Sequence, residues 1–310
     1  MDGTLGAVLP VFLVILLGLA LHRGRFVSDA FWQPAEKLTY FVTFPALLTA
    51  NLAKAEMQGL AWQSLMVVEA FAVLAAAGLM VALRRYLLAT GTTDPTFTSA
   101  FQGSIRPNTY VGLAIAVAIY GGSGVTLTAI CIAVVVPLVN VLAVLCLSTL
   151  GHGQSAGTWN LVKGIVSNPL ILACLLGILL NGTGIGLPPV IGPFLEILGR
   201  AALPIGLLAV GAGLALESLQ GRTLLLALST LAKLILVPFL IWLGALVAGL
   251  DAMTTTVAVI YGALPCSASS YVLARRMGGD APLMASIITV QTLISAVTIP
   301  LIVLLLPGAG

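Results

Sequence analysis

The chain has 310 residues, of which 60% are apolar and only 7% charged, and its mean hydropathy is +1.15. A soluble domain carries roughly 25% charged residues, so this composition excludes a water-exposed globule, a disordered chain and a nucleic-acid binder. The net charge of +3 is too small and too scattered to form a polyanion-binding patch. What remains is an all-α polytopic membrane protein: at about 20 residues per spanning helix, the length allows roughly ten spans and no sizeable extramembrane domain.

Ten apolar segments follow one another at about 5–21, 34–53, 60–83, 96–119, 124–149, 160–180, 189–216, 223–247, 253–276 and 282–306. Their connectors are short and often Gly-rich, as in Gly121-Gly122-Ser123-Gly124 and Gly182-Thr183-Gly184. The runs are too long and continuous for a membrane barrel, which needs alternation. The first is preceded by Asp2 and followed by His22, Arg23 and Arg25. A signal peptide carries its positive charges before the apolar stretch, so this one reads as a retained span. With ten spans, the odd-numbered connectors collect Arg23, Arg25, Arg84, Arg85, Arg222, Arg275 and Arg276, while the other face offers Lys54. The positive-inside bias then places both termini outside, in a cytoplasmic (inner) membrane if the cell is bacterial.

The chain repeats itself. Pro10, Gly18, Pro34 and Pro45 recur 159 positions later as Pro169, Gly177, Pro193 and Pro204; Pro107 and Gly121 recur 158 positions later as Pro265 and Gly279. Spans one to five (residues 1–155) thus map onto spans six to ten (156–310). Five is odd, so the second copy enters the membrane from the opposite side. Inverted repeats of this kind are the architecture of alternating access.

Segments four and nine each carry the repeated proline near mid-membrane, amid polar residues: Arg106-Pro107-Asn108-Thr109 and Pro265-Cys266-Ser267-Ala268-Ser269-Ser270. Proline removes an N–H, clashes with the preceding turn and disfavours helix for the residue before it. Such a polar cluster is costly in lipid unless it lines a cavity. The sequence therefore predicts two broken helices, four and nine, whose second halves present positive dipole ends to an anion. Pro45, Pro137, Pro204, Pro238 and Pro300 read as plain kinks. Arg106 cannot shed its proton; it is either the bidentate ligand of a substrate carboxylate or a structural ion pair or cap. Asn108 is the second candidate contact, and Ser267, Ser269 and Ser270 are the counterparts on the other helix.

Two further charges fall near mid-membrane, Glu69 in segment three and Lys233 in segment eight, which are repeat partners. Three readings stay open: they pair, one of them titrates during transport, or the lysine snorkels while the glutamate caps a neighbouring helix. Glu196 and Arg200 have the spacing of an intrahelical bridge. His22 and His152 read as connector residues. The four cysteines, Cys131, Cys146, Cys174 and Cys266, have no metal-binding spacing and read as small packed hydrophobes. Neither a metal nor a cofactor is called for, and no protease or lipase motif is present.

Several of these stretches carry a family resemblance. Asn108-Thr-Tyr-Val-Gly-Leu, Ser167-Asn-Pro, Ala202-Leu-Pro-Ile-Gly-Leu-Leu-Ala-Val-Gly-Ala, Lys233-Leu-Ile-Leu-Val-Pro and Pro265…Tyr271-Val-Leu-Ala-Arg with Gly278-Gly-Asp together resemble the auxin efflux carrier family. The resemblance implies ten helices in two inverted five-helix repeats, similar to bile acid symporter folds. It also implies a scaffold of segments one, two, six and seven, often dimeric, and a transport domain of segments three to five and eight to ten that moves like an elevator. Crossed helices four and nine then bind a small organic anion, with protons as a candidate co-substrate. Asn108 matches the family's segment-four Asn, whereas Ser269 stands where many members carry Asn. The short connector 151–158 resembles the bacterial type. The rival functions are a cation-coupled symporter of the bile-acid type, disfavoured by the scarcity of buried acids, and a channel or sensor on the same fold.

Overall fold

The computed structural model describes residues 2–55, 61–151, 167–216 and 223–306. The start of segment six, the connector after Gly151, His152, Arg222 and the boundary between the two proposed repeats lie outside them. The described chain is helical: α1 (Asp2–Arg23), α2 (Asp29–Leu38), α3 (Phe44–Leu52), α4 (Trp62–Ala89), α5 (Asp94–Ile105), α6 (Thr109–Leu150), α7 (Pro169–Gly182), α8 (Ile191–Arg200), α9 (Ala202–Ala212), α10 (Thr223–Leu231), α11 (Val237–Ala248), α12 (Ala252–Gly262), α13 (Ser269–Met277) and α14 (Ala281–Leu305). Among the described residues, six stretches are long and apolar enough to cross a membrane: Gly6–Arg23, Trp62–Ala89, Thr109–Leu150, Ile191–Ala212, Thr223–Ala248 and Ala281–Leu305; α7 and α12 are shorter apolar helices. Side chains such as Phe71 and Leu179, more than 60% exposed, form an outer surface that only lipid can solvate. This is a multi-pass membrane protein.

The prolines act in three different ways. Pro45 and Pro238 each follow a π turn, Thr39–Thr43 and Ala232–Leu236, rather than a plain kink. A proline ring clashes with the carbonyl four residues earlier, here Phe41 and Leu234, and widening that turn relieves the clash. Pro204 follows the break at Ala201 that separates α8 from α9. Pro137 and Pro300 sit inside continuous helices, as the sequence suggested.

One connector is as expected and one residue differs. α6 comprises two helices that meet at Gly121 (φ 56°, ψ −132°), a conformation that favours glycine. A Cβ on Gly124 would fall 2.1 Å from the Ala116 carbonyl oxygen, so the chain turns back on itself at this Gly-rich connector. His22 closes the last turn of α1, 3.5 Å from the Asp29 carboxylate, instead of lying in a connector.

The principal helix contacts are these. α1 lies along α9, and α3 lies along α7 and α8; α5 packs on α4, α6, α10 and α14, while α11 and α12 pack on each other and on α4 and α6 respectively. Glycines set the closest crossings. A Cβ on Gly211 would fall 1.8 Å from the Ile15 carbonyl oxygen, and one on Gly18 would fall 2.2 Å from that of Leu208. On the other pair, a Cβ on Gly177 would meet Leu52 Cβ at 2.7 Å and the Thr49 carbonyl at 3.2 Å. Without a hydrophobic force between helices in lipid, such small-residue contacts are what hold them together. Gly211→Ala is therefore expected to cost about 1–3 kcal/mol by overpacking, read as a lower thermal unfolding midpoint in detergent; Gly182→Ala, with open space around it, is the neutral control.

Candidate functional site

Both predicted breaks are present, and they meet. α5 ends at Ile105 and α6 begins at Thr109; α12 ends at Gly262 and α13 begins at Ser269. Pro107 and Cys266 form an antiparallel backbone bridge, within which the Asn108 N–H donates to the Pro265 carbonyl at 2.8 Å. Backbone groups freed by the prolines thus satisfy one another across the two breaks, as a medium without water requires.

Side chains complete the accounting. Asn108, 2% exposed, caps α6: its Oδ1 accepts from the N–H of Tyr110 (3.2 Å) and Val111 (3.4 Å). Gln291 of α14, fully buried, accepts from the Cys266 N–H at 2.9 Å and donates to the carbonyls of Gly103 (3.0 Å) and Ser229 (3.2 Å). One amide so joins α5, α10, the second break and α14. At the N-terminal ends, the Ser99 hydroxyl donates to the Asp280 carbonyl at 2.9 Å and the Asp280 N–H donates to Pro95 at 3.1 Å, tying α5 to the start of α14.

Arg106 lies at the junction, 8% exposed. Its Nη2 donates to Asn140 Oδ1 at 2.9 Å and to Ser269 Oγ at 3.2 Å. Its Nη1 is buried with no hydrogen-bond partner, and no carboxylate lies within 4.0 Å of the guanidinium among the described residues. Ser267 and Ser269 share a hydrogen bond at 3.0 Å; Ser269 is exposed and Ser267 half-buried. Ser270 is fully buried and accepts from the Cys266 thiol at 3.3 Å. Thr109 is half-buried, and Pro107, Pro265 and Cys266 are buried. The structure therefore brings Arg106 and Ser269 into contact and turns Ser270 and Cys266 inward. α13 has no side-chain cap, unlike α6. Tyr40 lies within electrostatic range of Arg106, and Phe44 stacks on Tyr110 with ring centroids 4.6 Å apart, so aromatic side chains border the junction.

Sequence reasoning missed Asn140, Gln291 and Tyr40. It also misassigned one charge pair, Glu196–Arg200. Of the three readings open for Glu69 and Lys233, 1% and 2% exposed, direct pairing is not what the structure shows: they form no ion pair. The Lys233 ammonium donates to the Gly262 carbonyl at 2.6 Å, and Glu69 lies beside Cys131, within electrostatic range of Lys233, with its Oε1 unpartnered. Glu196 bonds Lys54 at the end of α3 rather than Arg200. The cause is close packing: a Cβ on Gly199 would sit 3.0 Å from Leu47 Cα, and that approach aims the preceding turn of α8 at α3.

A cavity of about 790 Å³ opens between α3, α8, the Gly121 break and the start of α12, lined in part by Asn51, Lys54, Ser123, Arg200, Asp251 and Thr254. A second, about 740 Å³, lies at the opposite face beside His22, Arg23, Arg25 and Ala212–Leu216. Neither is lined by the residues at the breaks.

A family model described as "membrane transport protein" matches residues 4–303. The chain belongs to that family. It is the auxin efflux carrier family whose motifs the sequence resembles. Among curated proteins, this membrane transport protein is 22% identical over 303 residues to the uncharacterized transporter YfdV of Escherichia coli K12, covering 96% of both chains; the YfdV proteins of E. coli O157:H7 and Shigella flexneri match equally.

Gln291→Leu tests the bridge chemistry. It leaves the Cys266 N–H and two carbonyls without partners, so it is expected to lower stability by at least about 2 kcal/mol; an unchanged unfolding midpoint would mean those groups find other partners.

Proposed function

We propose that this membrane transport protein is a secondary carrier for a small organic anion bearing a carboxylate, bound where the two breaks meet. The observation that carries the reading is Arg106: a buried guanidinium, held by two neutral side chains, with one nitrogen unpartnered and no carboxylate of the described residues within 4.0 Å. A charge in that position needs an anion, and a substrate carboxylate supplies one. Asn140 and Ser269 orient the fork, Asn108 and the uncapped start of α13 add their dipoles, and Thr109, Ser267 and the Tyr40, Phe44 and Tyr110 rings give the organic part of the substrate its surroundings. Pro107, Pro265, Cys266 and Ser270 shape the backbone beneath it.

The broader architecture belongs to the same proposal. Counting α2–α3, α8–α9, α10–α11 and α12–α13 as single interrupted spans, dividing α6 at Gly121 and joining its first half to α5 across the Pro107 break, gives ten spans in two inverted repeats. The packing supports this. Gly18 meets Leu208 as Gly177 meets Thr49, and Gly18 and Gly177, like Thr49 and Leu208, are 159 positions apart. Spans one, two, six and seven form the scaffold, which pairs with a second copy in a homodimer. Spans three to five and eight to ten form the domain that carries the substrate across, elevator-like, in an inner membrane with both termini outside. The protein is a carrier and not an enzyme.

Thermal-shift screening of purified protein against mono- and dicarboxylates tests the site. A stabilising carboxylate is expected to bind Arg106→Gln roughly 10- to 100-fold more weakly, the worth of a charge-assisted hydrogen bond. Equal affinity would remove Arg106 from the site. Saturable counterflow of the labelled ligand in proteoliposomes is expected of a carrier, whereas a channel gives none and a sodium requirement would favour the cation-coupled symporter.

A further inference from the structure

Outside the proposed anion site, Lys233 is a buried charge, 2% exposed. Its position follows from which donors the second break has lost. In a continuous helix the Gly262 carbonyl would accept from the N–H of Cys266, or in a tighter turn from residue 265. Residue 265 is proline and has no N–H, and the Cys266 N–H is given to Gln291 at 2.9 Å. Ala263 and Leu264 bond back to Val259, Ile260 and Tyr261. The Gly262 oxygen is thus an acceptor left over at the negative end of a half-helix, in the interior of a membrane protein. The Lys233 ammonium fills it at 2.6 Å. The π turn Ala232–Leu236 carries that side chain, and Glu69 on α4 supplies a negative charge within electrostatic range, with Cys131 and Tyr261 beside it.

Carbonyls at the C-terminal ends of broken half-helices are where secondary transporters hold their coupling cations. Here that position is taken by a cation on a side chain. We propose that Lys233 is a tethered replacement for a mobile coupling cation at the end of α12, so that the protein adopts its bridged-break structure without sodium, and that removing the tether creates a site for a small free cation. For coupling, the consequence rests on the carrier reading; the test does not, because it reads cation binding without the anion.

The experiment compares wild type, Lys233→Ala and Lys233→Met by thermal unfolding in detergent, with sodium, potassium, methylammonium or N-methylglucamine chloride at one ionic strength. Wild type is expected to unfold at the same temperature in all four. Lys233→Ala is expected to be destabilised in N-methylglucamine and to recover by at least about 3 °C in methylammonium or sodium, as a ligand-filled vacancy would. Lys233→Met fills the space without charge, so it is expected to stay destabilised in every salt. The proposal is overturned if sodium stabilises wild type, if Lys233→Ala gains nothing from any small cation, or if Lys233→Met matches wild type. Should Lys233→Ala fail to accumulate, the wild-type and Met results decide on the same terms. A wild type indifferent to cations and also to every carboxylate would remove the anion site and leave this inference standing.

Discussion

Every feature of the site depends on one constraint: a backbone group freed inside the membrane must find a partner inside the protein. Two prolines at equivalent depth free several such groups. Their partners are the bridge from Asn108 to Pro265, the Asn108 cap, the Gln291 amide and the Lys233 ammonium. None of these lies in the same half-helix as the group it satisfies, except the cap. The breaks are therefore held by tertiary contacts, and the helices that supply them, α10–α11 and α14, are fixed relative to the breaks by the same bonds.

Charge is distributed around that junction in a consistent way. Positive groups stand at both kinds of helix end: Arg106 beside the start of α13, where it adds to the helix dipole, and Lys233 at the end of α12, where it cancels the dipole. The first arrangement leaves uncompensated positive potential, suited to an arriving anion. The second leaves a neutral, closed end. One Pro-broken helix thus has a positive end and a neutralised end within a few residues.

Much of this was legible in the sequence because proline and arginine act locally. Pro107 and Pro265 free backbone groups amid polar neighbours, whereas Pro137 and Pro300, in apolar runs, leave their helices unbroken; Arg106 cannot lose its charge, so both breaks and the buried cation follow from residue type and its neighbours. The repeated Gly18 and Gly177 marked the internal repeat; that both sit at close crossings is a finding of the structure. The partners were not legible. Asn140 is 34 positions from Arg106, and which face of α6 turns towards it is a packing outcome. Gln291 left a signal, a lone amide in the apolar run 282–306, which asks for a buried partner. For Glu69 and Lys233, depth and sign left pairing as one of three readings; which partner the ammonium takes, a carbonyl stripped of its donors, is set by the break. The Glu196–Arg200 bridge followed from helix spacing, and the close approach at Gly199 overrode it. The π turns before Pro45 and Pro238 were readable in principle, since the clash they relieve is set by the proline itself.

The central claim is a polar, positively charged junction inside the membrane that the aqueous phase on each side reaches in turn. Ser269 contacts Arg106 and is exposed, so a single cysteine there, in a background with the four native cysteines replaced, reports that access directly. Labelling by a membrane-impermeant cationic thiol reagent, applied to one side of oriented vesicles at a time, should modify Ser269→Cys from both sides. Protection from both sides, or labelling from only one under every condition of substrate and gradient, would contradict the account.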